Sequence, residues 1–297
     1  MRGNMQRNTD RSSTREGAVV QYSEREGTFG YVYAIGKLRA VFPSKDLEKE
    51  YQQLLTPDDA RAATEEQRLY NVLSRPENVF LAREMAWIFE IQDVATYVLQ
   101  PRSSVELQSM VEAIKPDDPT QLEYDVIIGT QEPISGVNVD LPAVIVNRLY
   151  HFTAKGFSES IPLPTGISQM PTGTAKDQAT ASFRALVLAI FQDMLQLADN
   201  TGDAEKHRAL NYVSLNYPDI YALKWQPSGP GSSGLNDLLN FTGVEVRHSP
   251  LSNARTIMDV IFNYTSTTGV VSRYYTTVDV TGQFPFLVTR LQPYFER

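Results

Sequence analysis

Hydrophobic and polar positions along this chain follow two rhythms, a period of two and a period near 3.6, and the switches between them mark out its strands and helices. Aromatic and β-branched residues crowd together from Gly30 to Ile35, and the pattern resumes from Leu38 to Phe42 after Gly36 and Lys37, which predicts an opening hairpin. Ser44 then starts a charged helix to about Leu55. Thr56, Pro57 and Asp59 supply a hydroxyl cap, a proline at the first helical position and an early acid, which predicts a second helix reaching Leu73. Phe80 to Arg83 read as helical. Trp87 to Ile91 and Val94 to Leu99, joined through Gln92 and Asp93, predict a hairpin ended by Pro101. Ser103 with Glu106 three residues on is a capping box for a helix to about Ile114. Tyr124 to Ile128 and Ala143 to Phe152 read as buried strands.

Residues 154–176 are rich in Ser, Thr, Gly and Pro and break the pattern, as a mobile loop or an interdomain linker would. Beyond them Phe183, Leu186, Val187, Ile190, Phe191, Met194, Leu195 and Leu197 show the i, i+3, i+4 spacing of a long amphipathic helix, expected from Asp177 to Ala198. A second helix is expected to be capped at Asp203 and stopped by Pro218. The remainder is strand-rich: Val244 to Arg247, Thr256 to Tyr264 and Val270 to Val280, the last two joined by a Thr-Thr-Gly turn, followed by an apolar stretch from Phe284 to Phe295. Together these elements predict an α+β fold with mixed, largely antiparallel sheets and packed helices. The 154–176 segment allows a division of residues 29–297 into two subdomains.

With 297 residues the chain has ample material for a core. No apolar stretch approaches the roughly 20 residues of a membrane-spanning helix. Residues 1–28 carry five arginines among polar residues, without the apolar segment of a secretory signal, and are expected to be a flexible tail. The absence of cysteine removes thiol nucleophiles, disulfides and thiolate metal sites from consideration and suits a cytoplasmic protein. A formal charge of -8, with Lys and Arg spread singly between acids, opposes binding of a nucleic-acid backbone.

Acid–base and metal chemistry are limited to three histidines, His151, His207 and His248, no two of which share helical or strand spacing. His207 has Asp203 one helical turn before it and Arg208 beside it, so Asp203, His207 and Arg208 form the polar group that best suits proton transfer, although an exposed helix pair has the same spacing. Gly229, Gly231 and Gly234 match the dinucleotide-binding pattern literally, but Trp225-Gln-Pro-Ser228 stand where the pattern requires a buried strand, and a loop is expected. Gly173-Thr-Ala-Lys176 is not a phosphate-binding loop, and Ser232 and Ser233 lie in no nucleophile elbow. No cofactor or metal ion is expected. Fifteen tyrosines, among them Tyr212, Tyr217, Tyr221, Tyr274, Tyr275 and Tyr294, suit either a core with satisfied hydroxyls or an exposed aromatic surface for peptide.

Several short motifs carry a family resemblance. Tyr31-Val-Tyr-Ala-Ile-Gly-Lys37, Leu81-Ala-Arg83, Tyr97-Val-Leu-Gln-Pro-Arg102, Asp125-Val-Ile-Ile-Gly129, Ala198-Asp-Asn200, His207-Arg-Ala-Leu-Asn-Tyr212, Val244-Glu-Val-Arg247, Asp259-Val-Ile-Phe262 and Phe284-Pro-Phe-Leu-Val-Thr289 occur in that order. From about residue 29 to 297 the chain thus resembles the domain of unknown function at the C-terminus of PatG-type cyanobactin maturation proteases, found also at the end of PatA. In that family the domain follows a subtilisin-like protease or macrocyclase that processes ribosomal precursor peptides. The residues read here hold no protease region, so the resemblance implies only the appended domain, alone or as part of a longer protein. The family assigns it no catalytic residues, and none carries over. The resemblance implies a non-catalytic accessory domain that recognises a precursor peptide or a pathway enzyme. A peptide-modifying enzyme and a homodimerisation module are the alternatives.

Overall fold

The computed structural model describes residues 30–116, 121–132, 141–196, 199–223, 240–266 and 269–295. The expected tail at 1–28 and the Gly229 to Gly234 segment, with Ser232 and Ser233, lie outside them. Along the chain run β1 (Tyr31–Val41), α1 (Lys45–Leu54), α2 (Glu65–Leu73), α3 (Val79–Glu84), β2 (Ala86–Ile91), β3 (Val94–Pro101), α4 (Ser104–Ala113), β4 (Glu123–Glu132), β5 (Ala143–Thr153), α5 (Ala154–Ser160), α6 (Thr165–Ser168), α7 (Thr174–Leu195), α8 (Glu205–Asn216), α9 (Asp219–Ala222), β6 (Asn240–His248), β7 (Ile257–Thr265), β8 (Val271–Asp279) and β9 (Phe286–Pro293). The α+β class is as the sequence pattern predicts.

The predicted opening hairpin is instead the single long strand β1. Its first half, Tyr31 to Gly36, pairs with β4, and its second half, Lys37 to Val41, pairs with β2. Gly36 stands where the partner changes. A Cβ there would lie 2.1 Å from the Glu90 carbonyl oxygen, so this glycine serves close backbone approach and not a turn. Asp125, opposite Gly36, accepts a hydrogen bond from the Leu38 amide at 2.7 Å and so satisfies a backbone donor at the crossing. The five strands close into a barrel in the order β1-β2-β3-β5-β4, with β3 and β5 parallel and the other pairs antiparallel. With α4 inserted between β3 and β4, this is the topology of an OB-fold barrel.

Helix boundaries follow local chemistry. Thr56 and Pro57 lead into a single 3-10 turn, Asp59–Arg61, and not into a helix: the Asp59 carboxylate turns back to accept from the Thr56 amide at 2.7 Å and from Arg75 at 2.6 Å. The following helix begins at Glu65, where the Thr64 hydroxyl accepts from the Gln67 amide. Gln92 and Asp93 both take positive φ, as a tight two-residue hairpin turn demands, and join β2 to β3 as predicted. Residues 154–176 are not a loop. They fold into α5, capped by Thr153, and α6, with Phe157, Ile161 and Ile167 buried, while the Arg184 guanidinium ties down the carbonyls of Ser158 and Ile161. The long helix begins at Thr174, slightly earlier than its apolar stripe suggested, and ends at Leu195. Asp203 is not the cap of α8, since Ala204 holds that position without a side-chain bond.

Strands β6 to β9 form an antiparallel meander. The interior of the barrel is one core, filled by Val32, Ala34, Trp87, Phe89, Tyr97, Leu99, Ile127, Val144 and Val146 against α1 to α4. The alternate residues of β1 and β4, Tyr33, Ile35, Val126 and Ile128, point out of the barrel into a second core shared with α5 to α9 and the inner face of the meander. That is why these strands read as continuously apolar. Among the described residues no helix is long and apolar enough to cross a membrane.

Candidate functional site

The outward face of the barrel meets α5 and α8 at a cleft of about 430 Å³. Tyr33, Val126 and Ile128 line it from the barrel, with Tyr150 and Phe152 from β5. Phe157 and Ser160 come from α5, Tyr212, Leu215 and Asn216 from α8, and Phe284 and Pro285 from the turn before β9. Among the described residues that line it, none carries a charged side chain. Tyr33 and Tyr212 meet edge to face with centroids 6.4 Å apart, and Phe152 packs on Phe157, itself 4.6 Å from Phe191 of α7. Burial pushes the Tyr33 phenol up to about 12, against a hydrogen bond from Asn216 at 3.0 Å. Tyr150 and Phe284, at 50% and 52% exposure, form an open aromatic rim over this buried floor.

The polar group singled out in the sequence lies elsewhere. Asp203 and His207 do approach, with His207 Nδ1 3.8 Å from the Asp203 carboxylate and 3.5 Å from the Thr201 hydroxyl. Asp203 is held down to about 2, chiefly by its His207 neighbour, with burial opposing and the Thr201 hydroxyl helping. At 3.8 Å this contact is longer than a well-formed hydrogen bond. His207 is buried, and its Nε2 has no hydrogen-bond partner among the described residues. Arg208 turns to the carbonyls of Val280, at 2.9 Å, and Gly282, with its guanidinium 5.3 Å from the Tyr31 ring. It therefore positions the turn that carries Phe284 and Pro285 into the cleft.

Residues 199–204 strap α8 to the barrel. The Gly202 carbonyl accepts from the Tyr33 amide at 2.8 Å and the Thr201 carbonyl from the Tyr97 hydroxyl at 3.0 Å. Asn211 donates to the Tyr33 carbonyl at 2.8 Å and exchanges hydrogen bonds with Asn200. His151 faces Asp125 at 2.8 Å on the barrel wall, and His248 lies exposed at the end of β6, so the three histidines are kept apart. No group of three or more His, Asp or Glu suited to a metal ion occurs among the described residues.

Of the highlighted tyrosines, only Tyr212 lines the cleft. Tyr217 and Tyr221 are core residues, with Tyr217 accepting from the Leu291 amide and Tyr221 donating to the Ser214 carbonyl. Tyr275 and Tyr294 pair edge to face on the outer side of the meander, beneath Arg247. Sequence reasoning missed Tyr33, Tyr150, Phe152, Phe157, Asn216 and Phe284 as one site, since five separate segments supply them.

Residues 31–229 match the family described as PatG Domain, and residues 177–294 match that described as PatG C-terminal. No curated protein matches the chain. A solved structure titled PatG Domain of Unknown Function aligns with a TM-score of 0.65 at 15% identity, over 89% of this chain and 98% of that one, which is a likeness of fold.

Proposed function

We propose, given that the chain belongs to the PatG domain family, that it is a peptide-binding module of a ribosomal-peptide pathway of the cyanobactin type, with the aromatic cleft as its binding site. The single observation that carries this reading is the open, uncharged, tyrosine- and phenylalanine-lined cleft between the barrel and α8. Such a surface takes apolar side chains by burial while its few hydroxyl and amide groups orient the main chain, a mode that needs no charged partner. It also suits the accessory role that the resemblance to the PatG-type domain implies.

Calorimetric titration of the full chain with precursor peptide tests this. Binding is expected at micromolar concentration or tighter, and replacing both rim rings, Tyr150→Ala with Phe284→Ala, should weaken it at least tenfold without lowering the melting temperature. Absence of heat at any accessible concentration, confirmed by an unchanged tryptophan and tyrosine fluorescence signal, would count decisively against the cleft as a peptide site.

A further inference from the structure

Resting on the peptide-binding reading, we propose that Tyr33 and Asn216 together read the main-chain N–H and C=O of one residue in a neutral, extended peptide segment. Asn216 Nδ2 donates to the Tyr212 carbonyl oxygen at 3.0 Å and to the Tyr33 hydroxyl oxygen at 3.0 Å. A carbonyl only accepts, so the first contact fixes which end of the carboxamide is nitrogen and leaves Asn216 Oδ1 as a spare acceptor. The second contact uses the Tyr33 oxygen as acceptor, and the phenol proton has no acceptor among the described residues. Burial keeps that phenol protonated throughout the physiological range.

Tyr33 and Asn216, already bonded to each other, therefore present one donor and one acceptor side by side in the cleft. A residue in extended conformation points its N–H and C=O to the same side, so this pair complements it, with the O–H of Tyr33 donating to the carbonyl and Asn216 Oδ1 accepting from the amide. Side chains of the segment alternate between its two faces, and Tyr150 and Phe284 of the rim offer apolar surface to bury those of one face. An acidic or basic side chain entering the cleft would lose its hydration without finding an opposite charge, so the recognised segment is apolar and neutral.

The test is calorimetry of the full chain with the blocked peptide acetyl-Ala-Leu-Val-Leu-Ala-amide and with an analogue in which an ester replaces the valine N–H. Tyr33→Phe keeps the ring and removes the donor; Asn216→Ala removes the acceptor from an exposed position at the end of α8. Each substitution is expected to weaken binding about three- to tenfold, the yield of one well-made hydrogen bond. The ester should weaken binding to the unmodified chain and have no further effect on Asn216→Ala. If the peptide binds, Tyr150→Ala weakens it, and Tyr33→Phe, Asn216→Ala and the ester leave it unchanged, the amide-reading pair is refuted while the peptide-binding cleft stands. If the folded, unmodified chain binds neither peptide, the cleft reading fails and this inference with it.

Discussion

Tyr33 carries three loads at one position: its amide holds the Gly202 carbonyl, its carbonyl holds Asn211, and its ring and hydroxyl floor the cleft. The glycine opposite it is constrained in turn. Gly202 has φ of +82°, and a Cβ there would come within 2.6 Å of the Ala34 side chain and the Tyr33 carbonyl oxygen. Gly202→Ala should cost about 2 kcal/mol or more of stability, read by urea denaturation, because it combines backbone strain with a steric clash. Asp203 makes a pH prediction. Its carboxyl is depressed to about 2 in the folded chain, below its unfolded value, so its contribution is full above about pH 4 and is lost as the pH falls toward 2. With the side chain 40% exposed, solvent screening reduces that contribution to about 1 kcal/mol. Asp203→Asn should flatten the melting temperature of the chain across that window, and an unchanged acid slope would remove the pair from the account of stability. The Asp203–His207 proximity was legible from i, i+4 spacing alone. The partnership of Tyr33 with Asn216, 183 residues apart in sequence, was not.

At the level of elements, caps and tight turns were readable because their chemistry is local. The Ser103 hydroxyl caps α4 by accepting from the Val105 amide and donating to the Glu106 carboxylate, and the positive φ of Gln92 and Asp93 makes the hairpin between β2 and β3. Readings failed where one residue type serves two ends. Gly36 looks like a turn residue in sequence, yet it allows two strands to approach, and the Thr56-Pro57-Asp59 start signal closes a single turn because Arg75 captures its acid. Asp59 is 2% exposed; burial raises its carboxyl, but hydrogen bonds from Arg75 and Thr56 outweigh burial and the net shift is downward. Arg75→Ala should therefore destabilise the chain by about 3 kcal/mol, since it strands a buried carboxylate. Thermal unfolding near neutral pH checks this, and a loss below about 1 kcal/mol would show that water replaces the guanidinium without penalty. The 154–176 segment was misread because its prolines and glycines punctuate two short helices whose buried residues, Phe157, Ile161 and Ile167, are too sparse to show a period.

For the molecule as a whole, the α+β class followed from the mixture of rhythms, whereas barrel closure did not, because it depends on long-range pairings of β1 with β4 and β3 with β5 that leave no periodic trace. The second core draws on the barrel wall, α5 to α9 and the meander together. A fragment ending at Thr153 would expose Tyr33, Ile35, Val126 and Ile128 at once and is expected to aggregate or remain unfolded, while the full chain unfolds in a single cooperative transition by circular dichroism and fluorescence alike. A soluble, folded fragment would mean that the barrel is an independent unit. The cleft lies on this same seam between barrel and helices, so occupying it should also tighten the seam. Hydrogen–deuterium exchange of the full chain with and without precursor peptide is the decisive comparison: slowed exchange is expected in β5 and α5, at the C-terminal turn of α8 and around Phe284. Unchanged exchange in those segments under saturating peptide, or protection confined to the far side of the meander, would contradict a peptide site at the aromatic cleft.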